Sequence, residues 1–168
     1  LADSNYVLTV TATDAAGNIS AASSALNLTV DTTAPAKPAI TTTTALTNDS
    51  TPAIEGVAEA GSTVTLFVDG ETTGITTRAD ETTGSYTITP AELSDGDYSL
   101  TVTATDTAGN ISAASSALNI TVDTTAPAAP VITTTTTLTN DTTPLIEGTT
   151  EAGSTINLYN DTQSATYV

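Results

Sequence analysis

The stretch DYSLTVTATDTAGNISAASSALNITVDTTAP, residues 97–127, decides the fold. Its first ten residues alternate strictly. Tyr98, Leu100, Val102 and Ala104 face one way, and Ser99, Thr101, Thr103 and Thr105 face the other, the period of a strand with one buried side. The segment 117–123 repeats the pattern, with Leu118, Ile120 and Val122 inward. Between them lies DTAGN, a Gly-bent turn. The same text occurs earlier: TATDAAGNISAASSALNLTVDTTAP at 11–35 returns at 103–127, an offset of 92. Residues 1–76 laid on 93–168 match at 52 of 76 positions without gaps, and agreement fades after Asp69 and Asp161.

A 92-residue period exceeds the ~20–45 residues of a solenoid unit and suits a small domain of about 100 residues. The boundary is expected just after the Val-Asp pairs at 30–31 and 122–123, where TTAPAKP and TTAPAAP form short Pro-containing linkers that are semi-rigid. The chain then holds the C-terminal part of one repeat (1–31), a complete repeat (32–123) and the N-terminal half of a third (124–168). Further strands are expected at 37–44 around Ile40, 51–58 around Ile54, 62–69 with Val64, Leu66 and Val68 inward, and 85–89 with Tyr86 and Ile88 inward. The turns fall at NDS (48–50), EAG (59–61), DGE (69–71), TTG (82–84) and SDGD (94–97). About seven short alternating strands per repeat predict an all-β fold, tandem immunoglobulin-like β-sandwiches. Thr fills 42 of 168 positions, as its β-branch and hydroxyl suit the wet face of a strand.

Composition excludes much chemistry. The chain has no Cys, His, Met or Trp, so thiol nucleophiles, His bases, Cys/His zinc sites and disulfides are out of reach. Nineteen acids against two bases give a net charge of −17, which disfavours nucleic acid, since a backbone binder needs Lys and Arg. No apolar run approaches the ~20 residues of a membrane span, and no signal peptide opens the chain, which reads as a fragment of something longer. We expect no enzyme.

Counting strands assigns the loops to two poles. Glu59, Asp80, Glu81, Asp106 and Asn110 fall at the pole where the chain enters the repeat. Asn48, Asp49, Asp69, Asp95, Asp97 and Asp123 fall at the pole where it leaves. Asp31, ending one repeat, is expected to meet Glu59, Asp106 and Asn110 of the next, and Asp123 to meet Glu151. The complete repeat carries 12 acids and 2 bases. Calcium accepts 6–8 oxygens from Asp, Glu, Asn and carbonyls in irregular loops, so this grouping is a candidate calcium site spanning the hinge. Asp and Asn also simply favour turns, and for NDS at 48–50 and NDT at 140–142 a second ion site and a turn cap both fit.

DAAGNIS and DTAGNIS, the DTTAP hinge, NDSTPAIEG and NDTTPLIEG, EAGSTV and EAGSTI, and DGDYSLTVTATD together resemble the bacterial immunoglobulin-like tandem repeats of giant, biofilm-associated surface adhesins exported by type I secretion. The resemblance covers nearly the whole chain. It implies an extracellular, cell-surface stalk stiffened by calcium at interdomain junctions, with neighbouring repeats of the same chain as partners and the adhesive ligand bound elsewhere in the parent protein. The implied ligands are Asp31, Glu59, Asp106 and Asn110 at one junction, Asp123 and Glu151 at the next, and Asp14 and Asn18 at the one before. Two other readings compete. TVTAT at 9–13 and 101–105 presents Thr in register, as an ice- or ligand-binding surface would. Asn18, Asn27, Asn48, Asn110, Asn119, Asn140 and Asn160 begin N-x-S/T sequons. A repeat-wide isopeptide crosslink from Lys37 is excluded, because the second copy has Ala129 there.

Overall fold

A computed structural model describes residues 1–159 and 164–165, and among these every regular element is a strand. The sequon at Asn160 lies outside the described residues. The chain forms two compact units, Leu1–Thr124 and Thr125–Val168.

The first unit begins with a hairpin, β1 (Ser4–Leu8) and β2 (Leu26–Val30), paired antiparallel from Ser4↔Val30 to Leu8↔Leu26. Eight strands follow: β3 (Ala39–Ile40), β4 (Leu46–Thr47), β5 (Ile54–Val57), β6 (Thr63–Val68), β7 (Glu71–Arg78), β8 (Ser85–Ile88), β9 (Gly96–Thr105) and β10 (Leu118–Val122). They make a three-stranded sheet, β3-β5-β8, and a five-stranded sheet, β4-β10-β9-β6-β7. All pairings are antiparallel except β4 with β10, which run parallel at Thr121↔Leu46 and Val122↔Thr47. The protein is an all-β immunoglobulin-like sandwich.

The alternating residues supply the core. Leu100, Val102, Ala104, Val64, Leu66, Ile120 and Val122 from the larger sheet are buried with Ile54, Tyr86 and Ile88 from the smaller. Burying each large aliphatic contributes roughly 1.5–3 kcal/mol. On the other face Thr65 lies between Thr103 of β9 and Thr76 of β7.

The expected strand at 37–44 needs correction. Only Ala39–Ile40 pairs there, and the chain then crosses to the other sheet as β4. The run Thr41–Thr44 has no apolar alternation to tie it to one face. At the crossing, Thr41 N and Thr42 N donate to Glu55 O at 2.8 and 3.3 Å, and Thr42 Oγ1 accepts from Glu55 N at 2.7 Å. β3 is held to the sheet at Gly56, where an added Cβ would collide with the Ala39 carbonyl and the Tyr86 hydroxyl. Tyr86 Oη donates to Ala39 O at 3.1 Å, and burial pushes its pKa up to about 12.

In the second unit, β11 (Val131–Ile132) pairs with β12 (Gly148–Thr149), and β13 (Leu158–Tyr159) with β14 (Ser164–Ala165). Val131↔Thr149 is the register of Ala39↔Val57 displaced by 92. Glu147 N donates to Thr134 Oγ1 at 2.6 Å, the counterpart of the Glu55–Thr42 bond.

Candidate functional site

The antiparallel register Thr63↔Thr105 and Thr63↔Arg78 brings the turns at 59–62, 79–84 and 106–110 to one end of the sandwich. Asp69, Asp97 and Asp123 gather at the other: Asp69 N donates to Ser99 O at 2.9 Å, and Asp123 N to Thr47 O at 2.9 Å.

At the first end the loop Asp106–Asn110 is built on one carboxylate. Asp106 Oδ1 accepts from Ala108 N at 2.9 Å and Asn110 N at 2.8 Å, and Oδ2 accepts from Asn110 Nδ2 at 2.8 Å. The Asn110 side-chain bond, helped by these backbone N–H groups, holds the Asp106 pKa below its usual value. Asp14 and Asn18 repeat the arrangement at 2.9, 2.9 and 2.8 Å, and the Asn18 side chain likewise lowers the Asp14 pKa. The amide nitrogens of Asn18 and Asn110 are thus committed to hydrogen bonds, an arrangement that glycosylation at these sequons would disturb.

Asn110 reaches the hinge. Its Nδ2 also donates to the backbone carbonyl of Asp31 at 3.1 Å. The Asp31 carboxylate turns onto the linker that follows it, with Oδ1 accepting from Thr33 N at 3.0 Å. Glu59 and Asp106 line one cleft of about 330 Å³ together with Glu81 and Arg78. Arg78 Nη2 lies 3.1 Å from Glu81 Oε1. One of the chain's two basic residues thus stands among these acids.

Among the described residues, no three Asp or Glu side chains converge closely enough to hold a metal by themselves. A calcium ion at this end would take Glu59, the remaining lone pair of Asp106 Oδ2 and the Asn110 amide oxygen, with carbonyls and water completing the shell. A hard cation of variable coordination tolerates such a set, whereas the stricter octahedron of magnesium suits it less.

The remaining candidates are placed as follows. Asp123 follows β10 in the first unit. Glu151 lies in the second unit, where its carbonyl accepts from Ser154 Oγ at 2.7 Å, as Glu59 O does from Ser62 Oγ at 2.7 Å. Asp49 and Asp141 cap turns, accepting from Thr51 N at 2.8 Å and Thr143 N at 2.9 Å. Asp97 accepts from Thr121 Oγ1 at 2.5 Å.

Three features escaped the sequence reading. Asp3 takes hold of the hinge: Oδ1 accepts from Thr32 N at 3.1 Å and Thr32 Oγ1 at 2.7 Å, and Oδ2 from Thr33 Oγ1 at 2.9 Å. The Thr32 hydroxyl, then the Thr33 hydroxyl and the Thr32 N–H, lower its pKa. Asp95 does the same to Thr124, at 2.8 Å to N and 2.6 Å to Oγ1. The constant 29-residue interval from Asp3 to Thr32 and from Asp95 to Thr124 was the available signal. Arg78 was a lone basic residue with no pattern around it. Ser112 and Ser115 are buried, and serine in a loop carries no apolar periodicity to mark it.

Residues 37–124 match the family model described as bacterial Ig-like domain. The chain is 36% identical over 180 aligned residues to Exoglucanase B of Cellulomonas fimi, covering 99% of this chain and 16% of that protein. It is 36% identical over 129 residues to Chitinase A1 of Niallia circulans, covering 71% and 18%. The chain thus spans about a sixth of the length of these relatives. Among solved structures, fibronectin(III)-like modules of Clostridium thermocellum CbhA align at 22% identity with a TM-score of 0.48, covering 73% of this chain and 64% of that one. A tetra-tandem repeat from the extending region of a large adhesion protein aligns at 24% identity and 0.44, covering 89% and 39%.

Proposed function

The chain belongs to the bacterial Ig-like domain family, and from that premise we propose that it is a non-catalytic extender segment of a bacterial cell-surface adhesin, with calcium stiffening its interdomain junctions. One observation carries the reading. The DxxGN loop of one repeat meets the last residue of the repeat before it, through Asn110 and Asp31, beside a cleft bearing Glu59 and Asp106. A 92-residue recurrence places equivalent groups along the chain.

The physical role is mechanical. Acids at the tips of successive sandwiches repel, and a divalent cation between them removes that repulsion. With the cation bound, the entrance pole and the hinge move as one; without it, the hinge explores a wider range. Extracellular calcium modules bind at about 10⁻⁴–10⁻³ M, so calcium adds stiffness outside the cell that it does not supply inside it. Ligand capture belongs to other parts of the parent protein.

A second reading is favoured by the relatives. The relatives are named an exoglucanase and a chitinase, and this chain matches a small share of each. The same module then spaces the parts of an extracellular polysaccharide-degrading enzyme.

Calorimetric titration with calcium tests the ion. Heat of binding should appear in the chain and largely vanish in Glu59→Ala and Asp106→Ala. Chelator should lower the melting temperature and broaden the interdomain distances seen by small-angle scattering, and magnesium should restore less than calcium. Absence of heat together with unchanged scattering defeats the calcium reading and leaves a plain spacer.

A further inference from the structure

The bond between Asp31 and Thr32 is one planar peptide group, and two repeats hold it from opposite sides. Its N–H, that of Thr32, donates to Asp3 Oδ1 of the preceding repeat at 3.1 Å. Its carbonyl, that of Asp31, accepts from Asn110 Nδ2 of the following repeat at 3.1 Å. We propose that this peptide plane is an ion-independent lock that sets the rotational register of each interdomain junction.

The C=O and N–H of a trans peptide point in opposite directions and cannot turn relative to one another. Rotating either repeat about the linker must therefore break or bend one of the two bonds. Both grips are themselves oriented. Asp3 is fixed by the hydroxyls of Thr32 and Thr33 at 2.7 and 2.9 Å. Asn110 is fixed by Asp106 Oδ2 at 2.8 Å. An amide nitrogen has two hydrogens, so Asn110 satisfies Asp106 and the hinge carbonyl together. Just beyond the plane, Thr33 N donates to Asp31 Oδ1 at 3.0 Å, and Pro35 and Pro38 are buried. The chain is thus ordered from the end of β2 into β3.

The grip on the hinge N–H recurs, and so does the loop that aims the amide. Asp95 holds the N–H of Thr124 at 2.8 Å, which is the same grip one repeat later. Asn18 makes the same bonds within its loop as Asn110, leaving its second amide hydrogen for a carbonyl in the corresponding place. The partner of each DxxGN loop is thus the exit peptide of the preceding repeat, selected by shape and hydrogen-bond direction. The inference stands apart from the calcium reading, since neither bond involves an ion.

The test uses the ¹⁵N-labelled full chain in excess chelator. The Thr32 amide should exchange on the order of tenfold faster in Asp3→Ala than in the unmodified chain. Asp3→Asn should keep the protection, because an amide oxygen accepts the same bond. Asn110→Ala should widen the motion of residues 1–31 relative to 34–123, read from ¹⁵N relaxation, while Ala108 amide exchange reports that the loop itself persists. Equal Thr32 exchange in Asp3→Ala and the unmodified chain would overturn the lock. So would unchanged relative motion in Asn110→Ala. Loss of calcium binding heat alone bears on the earlier reading and leaves this one standing.

Discussion

Ser115 Oγ accepts the backbone N–H of Val102 at 3.0 Å and donates to the carbonyl of Ser116 at 3.0 Å. Ser112 does the same for Ala104 N at 2.9 Å and Ala113 O at 2.9 Å. Two buried serines thus stand in for a strand along β9, where the chain between the DxxGN loop and β10 runs without a regular ladder. Ser112 N and Ser115 N return the pairing to Ala104 O and Val102 O at 2.9 and 2.8 Å.

Ser115→Ala should therefore strand a buried N–H and cost about 1–3 kcal/mol. Its neighbour Ser116 is exposed and its side chain accepts from Lys37 Nζ at 3.3 Å, so Ser116→Ala should cost far less. Denaturant unfolding of the two variants measures the difference; equal losses would contradict this role for burial.

Gly56 occupies space that a methyl group cannot share with Ala39 O and Tyr86 Oη. Gly56→Ala should destabilise by about 1–3 kcal/mol and detach β3. Adding Tyr86→Phe should restore only part, because the Ala39 carbonyl still blocks the site. Amide exchange across β3 and β5 reads the outcome.

Tyr86 ties the stability of the fold to alkaline pH. Its folded pKa of about 12 lies above the unfolded 10.0. The neutral phenol therefore contributes stability that is complete below pH 10 and is lost as pH rises towards 12. Phenolate absorbance during alkaline unfolding should show one tyrosine ionising late, and Tyr86→Phe should abolish that step.

Asp106 behaves in the opposite sense. Its folded pKa is depressed below 3.8 by the Asn110 side chain. Its contribution is present above the unfolded value and is lost as pH falls through the folded one. Asn110→Ala should raise the Asp106 pKa towards the ordinary value. Carboxyl carbon shifts followed through an acid titration check this, and an unmoved midpoint would remove Asn110 as the cause.

Arg78 competes with any cation in its cleft. On the calcium reading, Arg78→Gln should tighten calcium binding several-fold, as a unit charge a few ångströms away in a wet site is worth about 1 kcal/mol. Unchanged affinity would place the ion away from Glu59 and Asp106.

Strands with strict alternation were readable in advance. Leu100, Val102 and Ala104 point inward because their neighbours are Thr and Ser, and no other register buries them. The allocation of acids to two ends followed from strand parity alone. The crossing at Thr41–Thr44 was not readable, since four identical residues offer no preference between faces. Nor were Ser112 and Ser115, whose value lies in distant N–H groups that happen to lack a ladder partner.

The linear order of residues determined the period, the strand faces and the ends at which the carboxylates collect, because these depend on neighbours one or two positions away. Tertiary structure decided the rest. Nothing in DTTAP announces that its first peptide plane is shared, for that requires Asp3 and Asn110 to arrive from 29 and 79 residues away. Burial and shared hydrogen bonds belong to pairs of surfaces, and a single strand of text specifies only one surface at a time.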